Sequence, residues 1–368
     1  MMRHPFAFNH PHRSLFLIVF FVSSVHLLPV GCTSGSREKV FPGKEWDIIT
    51  PEKAGLNEAA LTRIDSLMKK ANANGVLIHN GYLVTEWCYG GAKETHFEVQ
   101  SITKSITSSV LGLALHDGLI PSLDAKVKDY YPGLQVGPYT DEITFRHLVT
   151  ASSGIKSTIT EGRYFDPDNM KPGIESRYHN DHFHQLAAAL TYIYCQELGE
   201  VFSNRVLQPI MAQDSMRWGY HRSSEVTCGN GRQTKVVGGY AFTHWSARDL
   251  ARVGYLYLNE GNWDGRQLLP AAFTREARRA IPIPVMDMTP DASPDKRSKA
   301  KYGFGWRGKI SRNGKELWYM SGNGGQFCIV LPELNLVMTK INSYKEKPYT
   351  GIDRFEEHIW NLFPEINE

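Results

Sequence analysis

A serine and a lysine lie three residues apart at the start of a strongly apolar segment, as Ser101-Ile102-Thr103-Lys104. Residues at this spacing share one face of a helix, so the Ser101 hydroxyl and the Lys104 amine can meet there. An ammonium is almost never buried without a partner, and desolvation lowers the pKa of a lysine. A neutral Lys104 amine could then take the proton of Ser101 and make its oxygen a nucleophile. The alternative is that Ser101 caps the helix while Lys104 reaches water along its apolar stem.

Tyr178-His179-Asn180 is a second group of residues with suitable chemistry. A phenolate is favoured beside an ammonium, so Tyr178 near Lys104 could accept and return protons during a reaction. Asn180 offers both a hydrogen-bond donor and an acceptor to a substrate amide. The alternative is structural, with Asn180 or Asp181 capping a helix and Tyr178 packing against it.

A third group is rich in glycine and follows a predicted strand, as Met320-Ser321-Gly322-Asn323-Gly324-Gly325-Gln326. Glycine allows a backbone to come close to a ligand, because no Cβ stands in the way. A backbone N–H from this segment, together with that of Ser101, could bind the oxyanion that forms during acyl transfer. The alternative is an ordinary glycine-rich turn.

The surrounding sequence predicts the elements that must position these residues. Apolar residues from Val99 to Leu113 recur at helical spacing and make the Ser101 segment a core helix. Two strands near the N-terminal end, Gly75–His79 and Tyr82–Cys88, are joined by Asn80-Gly81, the strongest short signal for a hairpin. Further strands are predicted near the C-terminal end, at Leu317–Met320, Gln326–Leu331 and Leu336–Ile341.

Helical periodicity predicts helices before, between and after these strands, over 57–72, 144–154, 181–198, 246–261 and 355–363. The strands have few possible partners except one another. We therefore expect an α+β fold with one antiparallel sheet of five strands, flanked by the N- and C-terminal helices. A mostly helical inserted subdomain is expected on one side of the sheet.

Composition limits the possible functions. The 368 residues carry a formal net charge of +3 and no basic run, which argues against a nucleic-acid partner. No C-x-x-C pair is present, and His179, His182 and His184 do not complete any ligand spacing typical of a metal site. We expect no metal and no cofactor, and histidines that are solvated or that cap helices.

The cysteines do not indicate a disulfide-rich domain. Besides Cys32, the chain has Cys88, Cys195, Cys228 and Cys328, scattered through a large domain. Such scattered cysteines form no framework, although individual disulfides stay open. Cys88 and Cys328 fall in apolar, strand-like runs and are expected to be small buried residues.

Residues 1–32 are typical of a targeting signal and are excluded from the fold. A basic segment precedes an apolar run over 15–30, which is short for a membrane span and interrupted by polar residues. The run ends at Cys32, and a flexible tether is predicted over 33–44. This ending resembles a bacterial lipoprotein signal, in which Cys32 is lipidated and becomes the mature N-terminus. Ordinary signal cleavage nearby is the alternative, and both interpretations predict an exported protein, either periplasmic or anchored to a membrane.

Together the motifs resemble the serine β-lactamase and penicillin-binding-protein family, in the branch of class C β-lactamases, related esterases and 6-aminohexanoate-dimer hydrolases. Ser101-Ile102-Thr103-Lys104 matches the S-x-x-K motif of this family, and Tyr178-His179-Asn180 matches its Y-x-N motif. The resemblance covers roughly residues 50 to 345. It includes supporting segments at Thr144–Gly154, Ala247–Arg252 and Tyr302–Trp306.

The resemblance implies a β-lactamase/transpeptidase-like fold and a role for each matching residue. Ser101 would be the acylated nucleophile, Lys104 the group that activates it, and Tyr178 the acid and base that serves the leaving group. Substrate-binding and oxyanion roles would fall to Asn180, Ser321, Gly322 and Asn323. The oxyanion hole itself would consist of the backbone N–H groups of Ser101 and Asn323.

One departure from the family pattern changes the expected substrate. The third family motif is usually Lys-Thr-Gly or His-Thr-Gly, whose cation helps to hold a substrate carboxylate, whereas Met320-Ser321-Gly322 has no cation. The Gly324-Gly325-Gln326 that follows resembles the esterase and 6-aminohexanoate-dimer hydrolase branch. The resemblance therefore predicts an exported serine hydrolase that cleaves an ester or small amide through a Ser101 acyl-enzyme, rather than an efficient penicillinase.

Two other functions stay open at this point. One is a β-lactamase or D-Ala-D-Ala carboxypeptidase proper, and the other is a non-catalytic penicillin-binding-like protein that binds a ligand. The expected partner is a small ester, amide or peptide-like substrate, and the membrane is contacted only through a lipid at Cys32. The predicted catalytic domain spans 45–364, with its sheet part over 45–98 and 235–364 and its helical part over 99–234.

Overall fold

The computed structural model describes residues 39–156, 159, 170–279, 285–286, 301–310, 314–345 and 350–363. The predicted targeting segment, Cys32 and residues 33–38 of the predicted tether lie outside the described residues. The helices of the described part are α1 (Glu58–Lys70), α2 (Thr103–His116), α3 (Val127–Tyr130), α4 (Phe145–Val149), α5 (Asn180–Tyr194), α6 (Leu198–Phe202), α7 (Ala247–Leu258), α8 (Ala271–Ala277) and α9 (Glu356–Trp360). None of these helices is long and apolar enough to cross a membrane.

The strands of the same residues run through the whole chain, and most of the longer ones come from its two ends. They are β1 (Asn74–His79), β2 (Tyr82–Cys88), β3 (Phe97–Glu98), β4 (Ser176–Arg177), β5 (Arg217–Trp218), β6 (Tyr220–Thr227), β7 (Gln233–Val237), β8 (Thr243–Trp245), β9 (Asn262–Trp263), β10 (Arg266–Gln267), β11 (Val285–Met286), β12 (Lys301–Gly303), β13 (Trp306–Ile310), β14 (Glu316–Gly322), β15 (Gln326–Leu331) and β16 (Leu336–Lys340).

One antiparallel sheet forms the centre of the fold. Among the described residues it has seven strands, in the order β12-β13-β14-β15-β16-β1-β2. The β1–β2 hairpin turns at Asn80-Gly81, where both residues have positive φ, +53° and +85°, as a two-residue type I′ turn requires. Strand β1 pairs with β16, with Leu77 opposite Met338, so the first hairpin joins the strands of the C-terminal end. The predicted α+β fold is confirmed, and the sheet is two strands wider than expected.

Strands β12 and β13 are the two strands of this sheet that the sequence pattern did not predict. Their segment, Tyr302-Gly303-Phe304-Gly305-Trp306, mixes glycines with aromatic residues and does not alternate between apolar and polar positions. Phe304 and Gly305 form the bend between the strands, with φ of +57° and +80°. A Cβ on Gly305 would lie 2.4 Å from the Ser105 backbone nitrogen, so glycine lets this edge hairpin pack directly on α2.

The sheet separates two hydrophobic cores, because successive side chains of a strand point to opposite faces. On β1, Val76 and Ile78 belong to one core and Leu77 to the other. The core of Leu77 is closed by α1 and α9, the two flanking helices that the sequence predicts. The opposite core contains residues of α2, α5 and α7, and it is the one that carries the site.

Helix α2 is a core helix, as its apolar periodicity predicts. Every residue from Thr103 to Ala114 is buried. Its hydroxyl side chains form hydrogen bonds within the protein: Ser105 Oγ donates to Gly305 O at 2.9 Å and Thr107 Oγ1 donates to Gly239 O at 2.7 Å. Because these polar groups are satisfied, their burial is not costly, and the helix is fixed relative to the loops around it.

The cysteines take three different positions. Cys195 and Cys228 form a disulfide with a Cα–Cα distance of 5.7 Å, which joins the end of α5 to the segment after β6. Cys328 is buried, as predicted. The prediction for Cys88 is wrong, because this residue is the last of β2 and its side chain is exposed where the strand leaves the sheet.

Removal of the disulfide should lower stability without changing the site. The Cys195–Cys228 bond closes a loop of 33 residues in sequence separation. For such a loop, replacement of both cysteines by serine is expected to lower the free energy of unfolding by about 3 kcal/mol, because the unfolded chain regains entropy. Urea unfolding of the double variant measures this change, and Cys88→Ser is the matched control with an exposed, unpaired thiol. A loss below about 0.5 kcal/mol would contradict the prediction.

Candidate active site

Ser101 and Lys104 are in direct contact at the start of α2. Ser101 lies in a short 3-10 turn, Gln100–Ile102, immediately before the helix, and is half-buried. Lys104 Nζ donates a hydrogen bond to Ser101 Oγ at 2.9 Å. Gln100 has a φ of +52°, an uncommon conformation for a residue with a Cβ, and it turns the chain sharply into the helix. The turn thus presents Ser101 beside the amine rather than within the helix.

Lys104 is completely buried and is held by uncharged oxygen atoms. Its Nζ also donates to Asn180 Oδ1 at 2.9 Å and to Tyr240 O at 3.1 Å. Burial lowers the pKa of Lys104, although the neighbouring Tyr178 raises it and Arg307 lowers it further. These surroundings favour the neutral amine more than water does, and only the neutral amine can accept a proton from Ser101.

Tyr178 stands beside the same pair of residues. Its ring centroid lies 4.8 Å from Lys104 Nζ and 5.0 Å from the guanidinium carbon of Arg307. Burial raises the pKa of the Tyr178 phenol, but the charges of Lys104 and Arg307, with hydrogen bonds to Ser101 and Lys104, bring this pKa below its ordinary value of 10.0. Lys104 and Tyr178 therefore form a coupled pair that can share and pass on a proton.

Asn180 is brought to the same place by helix α5, of which it is the first residue. Its Oδ1 accepts the hydrogen bond from Lys104, so the side chain points into the site. The sequence left open whether Asn180 only caps a helix, and this contact places its side chain beside the Lys104 amine. Its role toward a substrate stays a prediction.

Gly322 is the point at which the glycine-rich segment meets the Ser101 turn. A Cβ on Gly322 would lie 2.1 Å from the carbonyl oxygen of Val99, and no side-chain rotation could relieve this distance, because the backbone fixes the positions of both atoms. Strand β14 therefore packs directly on the Ser101 turn, and glycine allows this contact. Ser321 is half-buried, and Asn323 is exposed at the start of the turn between β14 and β15. Asn323 directly follows Gly322, the residue that meets the Ser101 turn.

The family model described as beta-lactamase matches residues 63–352. The chain belongs to the beta-lactamase family. A curated relative, an uncharacterized protein from Alkalihalophilus pseudofirmus, is 24% identical over 226 residues, covering 57% of this chain and 65% of the relative. The chain thus spans less than two thirds of that relative's length.

Solved structures of this beta-lactamase family fold include proteins named for several hydrolytic activities. A Bacillus anthracis protein provisionally assigned as a 6-aminohexanoate-dimer hydrolase superposes with a TM-score of 0.65 at 18% identity, covering 89% of each chain. A D-stereospecific amidohydrolase from Streptomyces sp. gives 0.59 at 20% identity, covering 83% of this chain and 98% of its own. EstCE1, a hydrolase with promiscuous acyltransferase activity, superposes with a TM-score of 0.61 at 14% identity, covering 83% of this chain and 98% of its own. The family and fold inferred from the motifs are confirmed.

The histidines of this beta-lactamase family site are structural, but not in the way the sequence predicts. His179 and His182 are buried and stack with ring centroids 3.8 Å apart. His182 Nδ1 bonds to Ser153 Oγ at 2.8 Å and its Nε2 to Arg177 O at 2.8 Å. Burial, and the neighbouring His179, keep the pKa of His182 well below 6.5. The prediction of solvated rings is therefore wrong for these two. His179 does occupy the N-cap position of α5, the other predicted possibility, but its side chain makes no capping hydrogen bond.

Three residues of the site were not found from the sequence: Tyr240, Arg307 and Tyr302. The backbone carbonyl of Tyr240 accepts a hydrogen bond from Lys104. Any residue type could supply this carbonyl, so the sequence does not reveal the role. The only available signal was the preceding Gly239, which lets this loop lie on α5; a Cβ there would be 2.2 Å from Phe183 O. Arg307 and Tyr302 belong to the unpredicted β12–β13 hairpin, and the Tyr302 ring lies 4.9 Å from that of Tyr178.

Proposed function

We propose that this member of the beta-lactamase family is a serine hydrolase that cleaves an ester or small amide through an acyl-enzyme on Ser101. The observation that carries the proposal is the 2.9 Å hydrogen bond between Lys104 Nζ and Ser101 Oγ, made by an amine that is completely buried. A buried amine is costly to keep, and here it is directed at the one group that a hydrolase of this fold would activate.

The proposed reaction uses each residue in turn. Ser101 Oγ attacks the carbonyl carbon while its proton passes to Lys104, and the N–H groups of Ser101 and Asn323 hold the oxyanion. Tyr178 gives its proton to the leaving oxygen or nitrogen as the bond to the carbonyl carbon breaks, and Lys104 then reprotonates Tyr178. Water attacks the acyl-enzyme with the same pair accepting its proton. The acid is released, and the proton returns to Ser101.

A small substrate panel tests the proposal. The wild type and Ser101→Ala are compared on p-nitrophenyl acetate and butyrate, on small peptide amides, on a D-Ala-D-Ala peptide and on nitrocefin. The proposal expects ester or amide turnover that is lost in Ser101→Ala. Faster turnover of nitrocefin or of the D-Ala-D-Ala peptide would favour the corresponding alternative, and no Ser101-dependent turnover of any substrate would leave the non-catalytic ligand binder.

Arg307 changes the expected substrate preference. The sequence has no cation at Met320-Ser321-Gly322, but the guanidinium of Arg307, from the neighbouring strand β13, packs on the ring of Tyr178 at 5.0 Å. We expect Arg307→Met to lower kcat/KM about 10- to 100-fold for an ester that carries a carboxylate, the worth of a charged hydrogen bond, and only slightly for a neutral one. The p-nitrophenyl monoester of glutarate and its methyl ester measure the difference. Equal losses on both would mean that Arg307 acts through Tyr178 alone.

We also propose export, with a lipid tether at Cys32. The apolar run before Cys32 supports this proposal, and so does the Cys195–Cys228 disulfide, because disulfides persist in oxidising compartments. Cys32→Ser is expected to move the protein from the membrane fraction to the soluble one when cells are fractionated, with Cys88→Ser as the control. Unchanged fractionation of Cys32→Ser would contradict the tether.

A further inference from the structure

Lys340 is a second buried lysine, and the proposed reaction does not use it. It is the last residue of β16, and its side chain is completely buried. Its Nζ donates to Gly325 O at 3.0 Å and to Asn342 Oδ1 at 3.4 Å, two uncharged acceptors. Burial lowers the pKa of Lys340 from 10.5 to about 7. Burial of an amine lowers the stability of the fold, so a buried lysine indicates that the amine has a role at that position.

The first partner of Lys340 lies in the turn that carries Asn323. Gly324 and Gly325 have φ of +87° and +80°, and a Cβ on either would lie 2.5 Å from backbone, at Tyr344 Cα and Thr350 O respectively. The turn is therefore held by backbone contacts, and Lys340 adds a hydrogen bond to the carbonyl of Gly325.

The second partner of Lys340, Asn342, is connected by hydrogen bonds to the segment that precedes Ser101. The Asn342 backbone N–H donates to Gln326 Oε1 at 3.3 Å, and Gln326 Nε2 donates to Glu98 O at 2.7 Å. Glu98 is three residues before Ser101. Lys340, Asn342 and Gln326, here called the Lys340 cluster, thus join the two backbone segments whose N–H groups form the proposed oxyanion hole.

We infer that Lys340 is a positioning residue that fixes the Asn323 N–H relative to the Ser101 N–H, through the Gly325 carbonyl and the side chains of Asn342 and Gln326. It does not contact the substrate. The inference rests on the proposed function, because the spacing of these two donors matters only if an oxyanion forms. Donors of this kind stabilise the transition state only when they are placed for it in advance, and removal of one costs about 10²- to 10³-fold in kcat.

Lys340→Met tests the inference, because methionine fills the space of the side chain but cannot hold Gly325 or Asn342. We expect kcat to fall about 10- to 100-fold, less than for loss of a donor itself, while KM changes little. Lys340→Gln keeps one donor group and should recover part of the loss. The matched control is Thr339→Val on the same strand, which removes the bonds of Thr339 Oγ1 to Ala247 O and Val76 N, away from the turn.

Two readouts separate positioning from a general loss of structure. Hydrogen exchange should become faster in Lys340→Met in the peptide that covers 322–331, and not in Thr339→Val. An unchanged kcat, or a loss of kcat that Thr339→Val reproduces at equal stability, would overturn the inference. If the wild type shows no Ser101-dependent activity, the proposed function fails, and the exchange measurement still decides whether Lys340 fixes the turn: unchanged exchange would overturn that as well.

Discussion

Replacement of Lys104 by methionine is expected to lower kcat/KM by roughly 10³-fold on every substrate that the wild type hydrolyses, which lies within the usual contribution of a general base. Lys104 Nζ is the nitrogen hydrogen-bonded to Ser101 Oγ, and methionine keeps most of the volume of the side chain while removing the proton acceptor. The fold should survive, because burial of an amine is costly and methionine removes that cost while filling most of the same space.

The measurement for Lys104→Met combines steady-state kinetics with thermal unfolding followed by circular dichroism. Lys309→Met is the control: it removes a half-buried lysine of β13 that pairs with Asp353 and Glu356, and it should leave kcat/KM unchanged. Retention of more than a tenth of the wild-type kcat/KM in a folded Lys104→Met would contradict the role given to Lys104.

The pH dependence of the wild type follows from the same amine. Only neutral Lys104 accepts a proton, and burial lowers its pKa from 10.5, so kcat/KM should rise with pH and level off below that value. Because Lys104 and Tyr178 are coupled, the apparent pKa of this rise belongs to the pair. The rise should be absent in Lys104→Met. A rise that persists unchanged in Lys104→Met would argue against a neutral Lys104 amine as the base.

Gly322→Ala is expected to have the second largest effect. The added Cβ would lie 2.1 Å from Val99 O, so β14 and the Ser101 turn must move apart. This movement separates Asn323 from Ser101, and we expect kcat/KM to fall by about 100-fold, the cost of losing one oxyanion donor. Overpacking should also lower the free energy of unfolding by about 1–3 kcal/mol.

Gly43→Ala is the matched control for Gly322→Ala, because a Cβ at Gly43 meets nothing within 4 Å. Both variants are compared by kcat/KM and by urea unfolding. If Gly322→Ala keeps nearly full activity and stability, the close contact between β14 and the Ser101 turn does not matter for the site, and the account of this glycine is wrong.

Local sequence predicts the parts of this molecule that depend on neighbours in the chain. Asn80-Gly81 sets its hairpin through two positive φ angles, and the periodicity around Ile106 and Val110 marks α2 as a core helix. The contact of Ser101 with Lys104 needs only the start of one helix. These features could be read because each is decided within a few residues.

The rest of the site depends on contacts between distant segments. Lys104 donates a hydrogen bond to the carbonyl of Tyr240, which lies 136 residues away in the sequence. Arg307 contacts Tyr178 from the β12–β13 hairpin, whose glycines interrupt the residue pattern by which strands are predicted. The missing cation at Met320-Ser321-Gly322 was a correct observation on that motif, but it could not show that an arginine stands on the adjacent strand. Hydrogen bonds to backbone carbonyls and the register between strands do not depend on residue type, so the sequence alone does not predict them.

The most direct test of the account is intact-mass spectrometry after treatment with a fluorophosphonate. One adduct is expected on the wild type, located on Ser101 by peptide mapping, because Ser101 Oγ displaces fluoride. No adduct is expected on Ser101→Ala, and labelling of Lys104→Met should be much slower. A wild type that stays unmodified, or an adduct that persists in Ser101→Ala, would contradict the claim that Ser101, activated by Lys104, is the nucleophile.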